Sequence, residues 1–160
     1  MKKVAISQSN YIPWKGYFDL INSVDEFVIL DCVQYTRRDW RNRNKIKTPN
    51  STMWLTVPVS VKGKYYQKIS EVKIKDTNWR TNHWKSIEFN YRKSIHFGEI
   101  SKWLKPLYFE KEYEFLSDLN KTFITGISSY LNIKTKIKDS YEFNTSSNKN
   151  ERIMDILKEL

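Results

Sequence analysis

The sequence predicts an α/β protein, and three observations carry that prediction. Residues 3–30 read as a strand, a Pro/Gly turn, a helix and a second strand, an order that pairs the two strands in parallel. Further apolar runs of strand length follow and alternate with helical stripes. Polar side chains collect where the first two strands end, which is where open α/β sheets bind ligands. We therefore expect a three-layer, Rossmann-like fold with a mostly parallel sheet and flanking helices.

The first strand–helix–strand unit has the clearest pattern. A short β-branched run at residues 3–7 predicts a buried strand, and Pro13 and Gly16 then break regular structure. An apolar stripe over residues 17–24 predicts a helix. The continuous apolar run at residues 27–30 predicts a second buried strand.

The middle of the chain is less regular. Residues 39–48 predict either a basic helix or an irregular arm, because they mix arginine, lysine and asparagine. The run MWLTVPV, residues 53–59, predicts a third strand, and Pro58 indicates that this strand ends there or lies at an edge. Looser period-two spacing at residues 69–75 predicts a fourth strand.

Helical patterns dominate the second half of the chain. Trp79, His83 and Ile87 recur every four residues, and Thr77 or Asn78 can cap the helix that they predict. The remaining predicted elements are a short helix at 99–104 interrupted by Pro106, a long helix at 116–131, a strand at 135–140 and a final amphipathic helix at 152–160.

Length, charge and cysteine content bound the function. The 160 residues fit a single α/β domain over 1–160, and a net charge of +10 favours anionic partners such as nucleotides, sugar nucleotides, lipid pyrophosphates, tRNA or DNA. The single cysteine excludes an internal disulfide and a multi-cysteine zinc site, and it suits a cytoplasmic protein. No apolar run approaches the roughly 18 residues of a membrane span. We assign no metal ligands.

The first candidate site is the loop between the first strand and the first helix. Backbone N–H groups at a helix start attract anions, a lysine adds charge, and glycine permits close approach. An ordinary strand-to-helix turn explains the spacing equally well, since no strict phosphate-loop motif is present. The candidate substrate-binding residues here are Gln8, Asn10, Tyr11, Trp14, Lys15, Gly16 and Tyr17.

The second candidate site follows the second strand, from Asp31 into a basic run that extends to Lys47. Arginine matches phosphate or carboxylate oxygens in pairs, and an exposed tryptophan can stack on a base or a sugar. A solvated basic face of a helix is the simpler interpretation. Lysine and glutamate would be less costly to expose on such a face than the arginine, asparagine and tryptophan of this run. The candidate substrate-binding residues here are Gln34, Tyr35, Arg37, Trp40, Asn42 and Arg43.

Two side chains are candidate catalytic groups. Asp31 stands at the end of the second strand, and a histidine such as His83 can serve as acid, base or ligand near neutral pH. For His83, a histidine packed on the buried face of a helix beside Trp79 and Ile87 is the simpler interpretation. The sequence contains no metal-binding or nucleophilic-cysteine motif.

Four segments of the chain resemble the WbqC-like protein family of bacterial polysaccharide gene clusters. They are QSNYIPWKGYFDLI, VILDCVQYTRRDWRNRNKIKT, WLTVPV and NHWKSIEFNYRK. The resemblance extends over essentially the whole chain. The resemblance implies a role in O-antigen, or lipopolysaccharide, biosynthesis and suggests a glycine transferase that forms a glycyl amide on an amino sugar.

The chain departs from the family pattern in three places. Ser9 stands where the family usually has proline, and Cys32 stands where a second aspartate usually follows Asp31. Family members usually continue past the helix at 152–160, so we expect that the chain lacks a C-terminal portion present in related proteins. If the second carboxylate acts in the family, this chain lacks that group.

A more remote similarity concerns the order of elements. The strand, the Pro-x-x-Gly-Tyr turn, the helix and the second strand resemble the nucleotidylyltransferase and pantothenate synthetase superfamily. A His-x-Gly-His loop there holds nucleotide phosphates, and Trp14 and Tyr17 stand in place of its histidines. Amide formation from an adenylated carboxylate occurs in that superfamily, although a shared fold does not fix function.

Three functions remain open from the sequence. The leading hypothesis is an aminoacyl or glycine transferase, or an adenylate-forming amide-bond enzyme, with ATP or glycyl-tRNA supplying the activated donor. In it the basic run holds phosphates and Asp31 or His83 accepts a proton. The alternative is a nucleic-acid or nucleotide binding module without catalysis. The third is a non-catalytic partner of another biosynthetic enzyme.

Overall fold

The computed structural model describes residues 1–76, 78–146 and 148–160, so the predicted cap at Thr77 lies outside the described residues. Strands β1, β2 and β5 form a parallel sheet in the order β1-β2-β5, and β3 and β4 form an antiparallel hairpin. The elements are β1 (Val4–Ser7), α1 (Lys15–Asn22), β2 (Glu26–Ile29), β3 (Arg43–Lys47), β4 (Thr52–Thr56), α2 (Asn78–Tyr91), α3 (Phe97–Phe109), α4 (Leu116–Tyr130), β5 (Lys136–Asp139) and α5 (Lys149–Glu159). Single 3₁₀ turns lie at Ile69–Glu71 and Ser140–Glu142.

The parallel sheet confirms the predicted α/β class and the first βαβ unit. Ala5, Phe27 and Ile137 stand opposite one another in the register, so they share one face. Ile21 of α1 and Ile124 of α4 belong to the cluster that covers this face, and both are fully buried. The three-layer, Rossmann-like arrangement remains a prediction, as does the single domain.

A second core lies between the hairpin and the helices. Leu55 of β4, Trp84 of α2 and Tyr108 of α3 pack with Leu116 and Phe123 of α4. Because α4 also supplies Ile124 to the sheet core, its two sides join the two cores. This position makes α4 the element on which the loops after β1 and β2 are anchored.

Residues 39–48 are neither a helix nor an irregular arm throughout, because β3 occupies Arg43–Lys47. Ile46 of β3 packs against the core, whereas Lys45 and Lys47 are exposed. The alternation of exposed lysine with an inward side chain has the two-residue period of a strand. The composition of the segment obscured that period.

Residues 69–75, predicted as a strand, begin instead with the 3₁₀ turn Ile69–Glu71. Ile69 and Val72 are both fully buried, and a 3₁₀ helix has three residues per turn, so one turn directs both side chains inward. Only isolated bridges pair Lys73 and Ile74 with other segments of the described chain.

Pro106 does not interrupt the third helix, which runs through it from Phe97 to Phe109. Proline removes one backbone hydrogen bond. The fully buried ring of Tyr108 anchors the turn that follows. Pro58 lies beyond β4, as the sequence predicted. No helix among the described residues is long and apolar enough to span a membrane.

Candidate functional site at the strand ends

Two adjoining cavities lie where the parallel strands end. One has a volume of about 800 Å³ and is lined by Gln8 after β1 and by Gln34 beyond β2. The other, of about 680 Å³, is lined by Ser140 after β5. Both are lined by Cys32, Lys68 and Arg152. We call this continuous depression the strand-end groove.

Among the residues that the structure describes, three cationic side chains and one carboxylate line the strand-end groove. Arg41, Lys68 and Arg152 line it, and Asp39 lies beside Arg41 with Oδ2 3.6 Å from its Nη2. Positive charge concentrated in a concave surface attracts anions. The side chain of Asp39 is 35% exposed, so its carboxylate can reach a bound molecule.

The loop after β1 fixes the guanidinium of Arg41. Arg41 donates to the side-chain oxygens of Gln8 and Asn10, and more weakly, at 3.5 Å, to the carbonyl of Ser9. Its side chain is only 13% exposed. Held in this way, Arg41 presents a fixed charge at the groove wall, because its rotamer is set before any ligand arrives.

A buried cluster around Asp31 supports that loop. Oδ1 of Asp31 accepts the backbone N–H of Ser9 at 2.9 Å, and Oδ2 accepts the hydroxyl of Ser117 at 2.5 Å. The amide of Asn120 donates to Ser9 Oγ at 3.0 Å and to the Arg41 carbonyl at 2.9 Å. Asp31 is fully buried. The cluster therefore ties the loops after β1 and β2 to α4.

Ser9 makes two bonds that the proline expected from the family pattern could not make. Its N–H reaches Asp31 and its hydroxyl accepts from Asn120, whereas proline has neither group. Tyr17 closes the same loop by donating to the carbonyl of Gln8 at 3.0 Å. Burial, together with the nearby carboxylate of Asp31, raises the pKa of Tyr17.

A second buried cluster joins Tyr11, His83 and Tyr108. The Tyr11 hydroxyl lies 2.9 Å from His83 Nδ1 and 2.6 Å from the Tyr108 hydroxyl, and His83 Nε2 lies 3.2 Å from the carbonyl of Thr56. A carbonyl only accepts, so Nε2 carries the proton and Nδ1 accepts from Tyr11. Burial lowers the pKa of His83 to about 4 and raises the pKa of Tyr11. His83 is therefore neutral at physiological pH.

The model of the WbqC-like protein family matches residues 8–160. The chain belongs to this family. It is similar to the uncharacterized protein Rv1507c of Mycobacterium tuberculosis (strain ATCC 25618 / H37Rv), with 53% identity over 156 residues that cover 98% of this chain and 68% of that protein. No solved structure matches the chain. The resemblance predicted from the sequence motifs is confirmed.

In this WbqC-like protein the predicted site residues separate into three groups: those at the strand-end groove, those buried in the core, and those that lie away from the groove. Gln8 and Gln34 line the strand-end groove, and Asn10, Tyr17 and Asp31 form or support its wall. Tyr11 and His83 lie in the aromatic core instead, and the buried Asn42 donates from Nδ2 to the carbonyl of Val57 at 2.8 Å. Tyr35 is buried, and burial raises its pKa.

The remaining predicted residues lie away from the groove lining. Trp14 is 68% exposed, with its ring above Gly16, where an added Cβ would lie 1.8 Å from the ring. Lys15 lines a separate cavity of about 240 Å³ beside α1. The guanidinium of Arg37 lies 4.7 Å from the ring centroid of Tyr65. Arg43 and Trp40 lie at the β3–β4 hairpin.

Sequence reasoning missed several residues of the site. Lys68 and Arg152 are distant in the sequence and carry no local motif. Ser117 and Asn120 could have been found from the sequence, because they are polar residues at buried positions of α4 and buried polar groups need hydrogen-bond partners. Within the described chain, no group of three or more His, Cys, Asp or Glu side chains could hold a metal ion.

Proposed function

We propose that this WbqC-like protein is a cytoplasmic enzyme of surface-polysaccharide (O-antigen) biosynthesis that transfers a glycyl or other aminoacyl group to an amino sugar. The strand-end groove carries the proposal, because it combines ample volume with fixed positive charge at the ends of parallel strands. The biosynthetic context is the one that resemblance to the WbqC-like protein family implies, and membership of that family supports it.

The groove suits substrates that carry phosphates. An activated aminoacyl donor, whether an adenylate made from ATP or a glycyl-tRNA, presents phosphate groups, and so does a sugar nucleotide. In the proposal Arg41 and Lys68 bind those oxygens, and the amide groups of Gln8 and Gln34 contact sugar hydroxyls. The three-layer, nucleotide-binding type of fold predicted from the sequence fits this assignment.

The proposed reaction forms one amide bond. The sugar amine attacks the activated carbonyl carbon, a C–N bond forms, and the bond from that carbon to the leaving oxygen breaks. AMP departs as a phosphate anion, whereas the terminal oxygen of tRNA departs as a hydroxyl after taking up the proton that the amine loses. The ammonium proton passes to a carboxylate, and we assign that role to Asp39, which is within the groove lining and partly exposed.

The sequence assigned the proton acceptor to Asp31 or His83. Both side chains are buried and hydrogen bonded within the protein, so in our proposal they position the loops that frame the groove. Asp31 does so directly, through Ser9 and Ser117. His83 acts further away, by holding Tyr11 at the start of the turn before α1.

A direct assay tests the proposal. The purified protein is incubated with an amino-sugar nucleotide and either glycine with ATP or glycyl-tRNA, and mass spectrometry measures addition of a glycyl residue. We expect the amide product with one of the two donors. Absence of product with both donors, across several amino-sugar nucleotides, would overturn the transferase proposal.

Two variants test the assigned roles. Asp39→Asn should lower kcat by roughly 100-fold, as loss of a general base does, with little change in KM. Lys68→Ala should raise KM by about 10-fold through a lost phosphate contact. Lys102→Ala removes the same charge from an exposed position on α3 and serves as the control. Equal effects of the two lysine variants would remove Lys68 from the site.

A further inference from the structure

The two faces of the β3–β4 hairpin have opposite character. In the register, Arg43 stands opposite Thr56, Lys45 opposite Trp54, and Lys47 opposite Thr52. Directly paired residues point to the same side of a sheet, and so do residues two apart along each strand. These six side chains therefore share one face, which we call the hairpin face.

The other side of the hairpin packs against the protein core. Ile46, Met53 and Leu55 contact the cluster of buried apolar residues, and Leu55 is only 4% exposed. Asn44 donates from Nδ2 to the carbonyl of Ile12. Because this side is fixed, the hairpin face is turned outward and held in one register.

The hairpin face is cationic and aromatic. Trp54 is 40% exposed, and the guanidinium of Arg43 and the ammonium of Lys45 lie 4.3 Å and 4.8 Å from its ring centroid. Trp40, which is 48% exposed, extends the surface, with its ring centroid 5.3 Å from that of Trp54. No ion pair within residues 1–76, 78–146 and 148–160 uses Arg43, Lys45 or Lys47.

This arrangement matches an extended chain of phosphates and bases. Cations two residues apart on a strand are about 7 Å apart, so they form a row along the hairpin. Exposed tryptophan rings gain energy by stacking on unpaired bases, whereas the bases of a duplex already stack on one another. The tryptophans therefore favour a single strand over a duplex.

We propose that the hairpin face binds single-stranded nucleic acid, with Arg43, Lys45 and Lys47 contacting phosphates and Trp40 and Trp54 contacting bases. The net charge of +10 adds long-range attraction for the same ligand. This site lies outside the lining of the strand-end groove and does not depend on the transferase proposal.

Fluorescence anisotropy with labelled oligouridylate and oligodeoxythymidylate, over a series of salt concentrations, measures this binding. We expect affinity for at least one of the two strands that falls as salt rises, and weaker binding to a duplex of the same length. The oligouridylate and oligodeoxythymidylate arms separate RNA from DNA. No binding at low salt, or a duplex that binds as tightly as the single strands, would overturn the proposal.

Matched variants separate the hairpin face from general attraction by net charge. Lys45→Ala/Lys47→Ala should reduce the slope of log K against log salt by about 1.4, the change expected for two lost phosphate contacts with a single strand. Trp54→Ala should weaken binding by roughly 10-fold through lost stacking. Lys134→Ala/Lys136→Ala removes the same charge from exposed positions around the start of β5 and should leave most affinity intact.

Folding of each variant is checked by circular dichroism, and quenching of tryptophan fluorescence in the wild-type protein gives a second readout of stacking. Absence of quenching on saturation, or equal losses in the hairpin and control lysine pairs, would overturn the assignment of the hairpin face.

Discussion

The two buried polar clusters of this WbqC-like protein differ in charge and in what they hold together. The cluster around Asp31 contains a carboxylate and joins the loops after β1 and β2 to α4 at the groove. The cluster of Tyr11, His83 and Tyr108 is neutral and joins the turn before α1 to α2 and α3. Both contain a residue that the sequence marked as catalytic.

The difference teaches that a polar residue can be central to a site without touching a ligand. A buried carboxylate costs free energy unless several donors satisfy it, and Asp31 has donors on both oxygens. A neutral chain of hydroxyls and imidazole costs less to bury, but it resists protonation. The charged cluster should therefore be more sensitive to mutation, and the neutral cluster more sensitive to acid.

The largest effect is expected from Asp31→Ala. This change leaves the N–H of Ser9 and the hydroxyl of Ser117 buried without their acceptor. Hydrogen bonds to a charged group contribute roughly 1.5–3 kcal/mol each, so the free energy of unfolding should fall by about 4 kcal/mol. Urea denaturation measures the change. Ser117→Ala removes only one hydrogen bond and should lower the free energy of unfolding by less than half as much. A loss below about 1 kcal/mol for Asp31→Ala would contradict the structural role of the cluster.

The pH dependence of stability tests the neutral cluster. The pKa of His83 is about 4 in the folded protein against a reference value of 6.5, so the unfolded chain binds this proton more readily between those pH values. The free energy of unfolding should therefore fall as pH drops from about 6.5 to 4, by up to roughly 3 kcal/mol.

The two histidines of the chain provide the control for this titration. Urea denaturation of His83→Gln over the same pH range should show a flatter pH dependence, whatever its stability at neutral pH. His96→Gln, which removes the histidine whose side chain is 69% exposed, is the matched control. A wild-type slope in His83→Gln would show that His83 does not carry the effect.

The sequence predicted where the groove lies better than it predicted which residues line the groove. The apolar runs of β1 and β2 and the Asp31 that follows them were readable because parallel strands end at one edge. Lys68 reaches the groove from the position before a 3₁₀ turn and Arg152 from the last helix, and local periodicity carries no information about such long-range placement. The basic run was read as one feature, but it divides because Arg41 precedes β3 and lines the groove, whereas Arg43, Lys45 and Lys47 of β3 share one face of the hairpin.

Ser9→Pro tests the Asp31 cluster by removing a hydrogen-bond donor to Asp31 instead of Asp31 itself. The change introduces the residue expected from the family pattern and deletes both the N–H donated to Asp31 and the hydroxyl that accepts from Asn120. We expect a loss of about 2 kcal/mol in the free energy of unfolding, measured in urea. Ser9→Ala keeps the N–H and should cost less; a proline variant as stable as wild type would mean that Asp31 finds another donor.

The smallest effect is expected from Tyr108→Phe, which removes one end of the neutral chain. The tautomer of His83 makes Tyr11 the donor to Nδ1, so the Tyr108 hydroxyl donates to the Tyr11 oxygen. Losing this outer bond should lower the free energy of unfolding by about 1 kcal/mol in urea denaturation. Tyr11→Phe removes the middle of the chain and leaves both Nδ1 and the Tyr108 hydroxyl unpaired, so it should cost at least twice as much. Equal costs would show that the hydrogen bond between Tyr11 and His83 Nδ1 contributes no stability of its own.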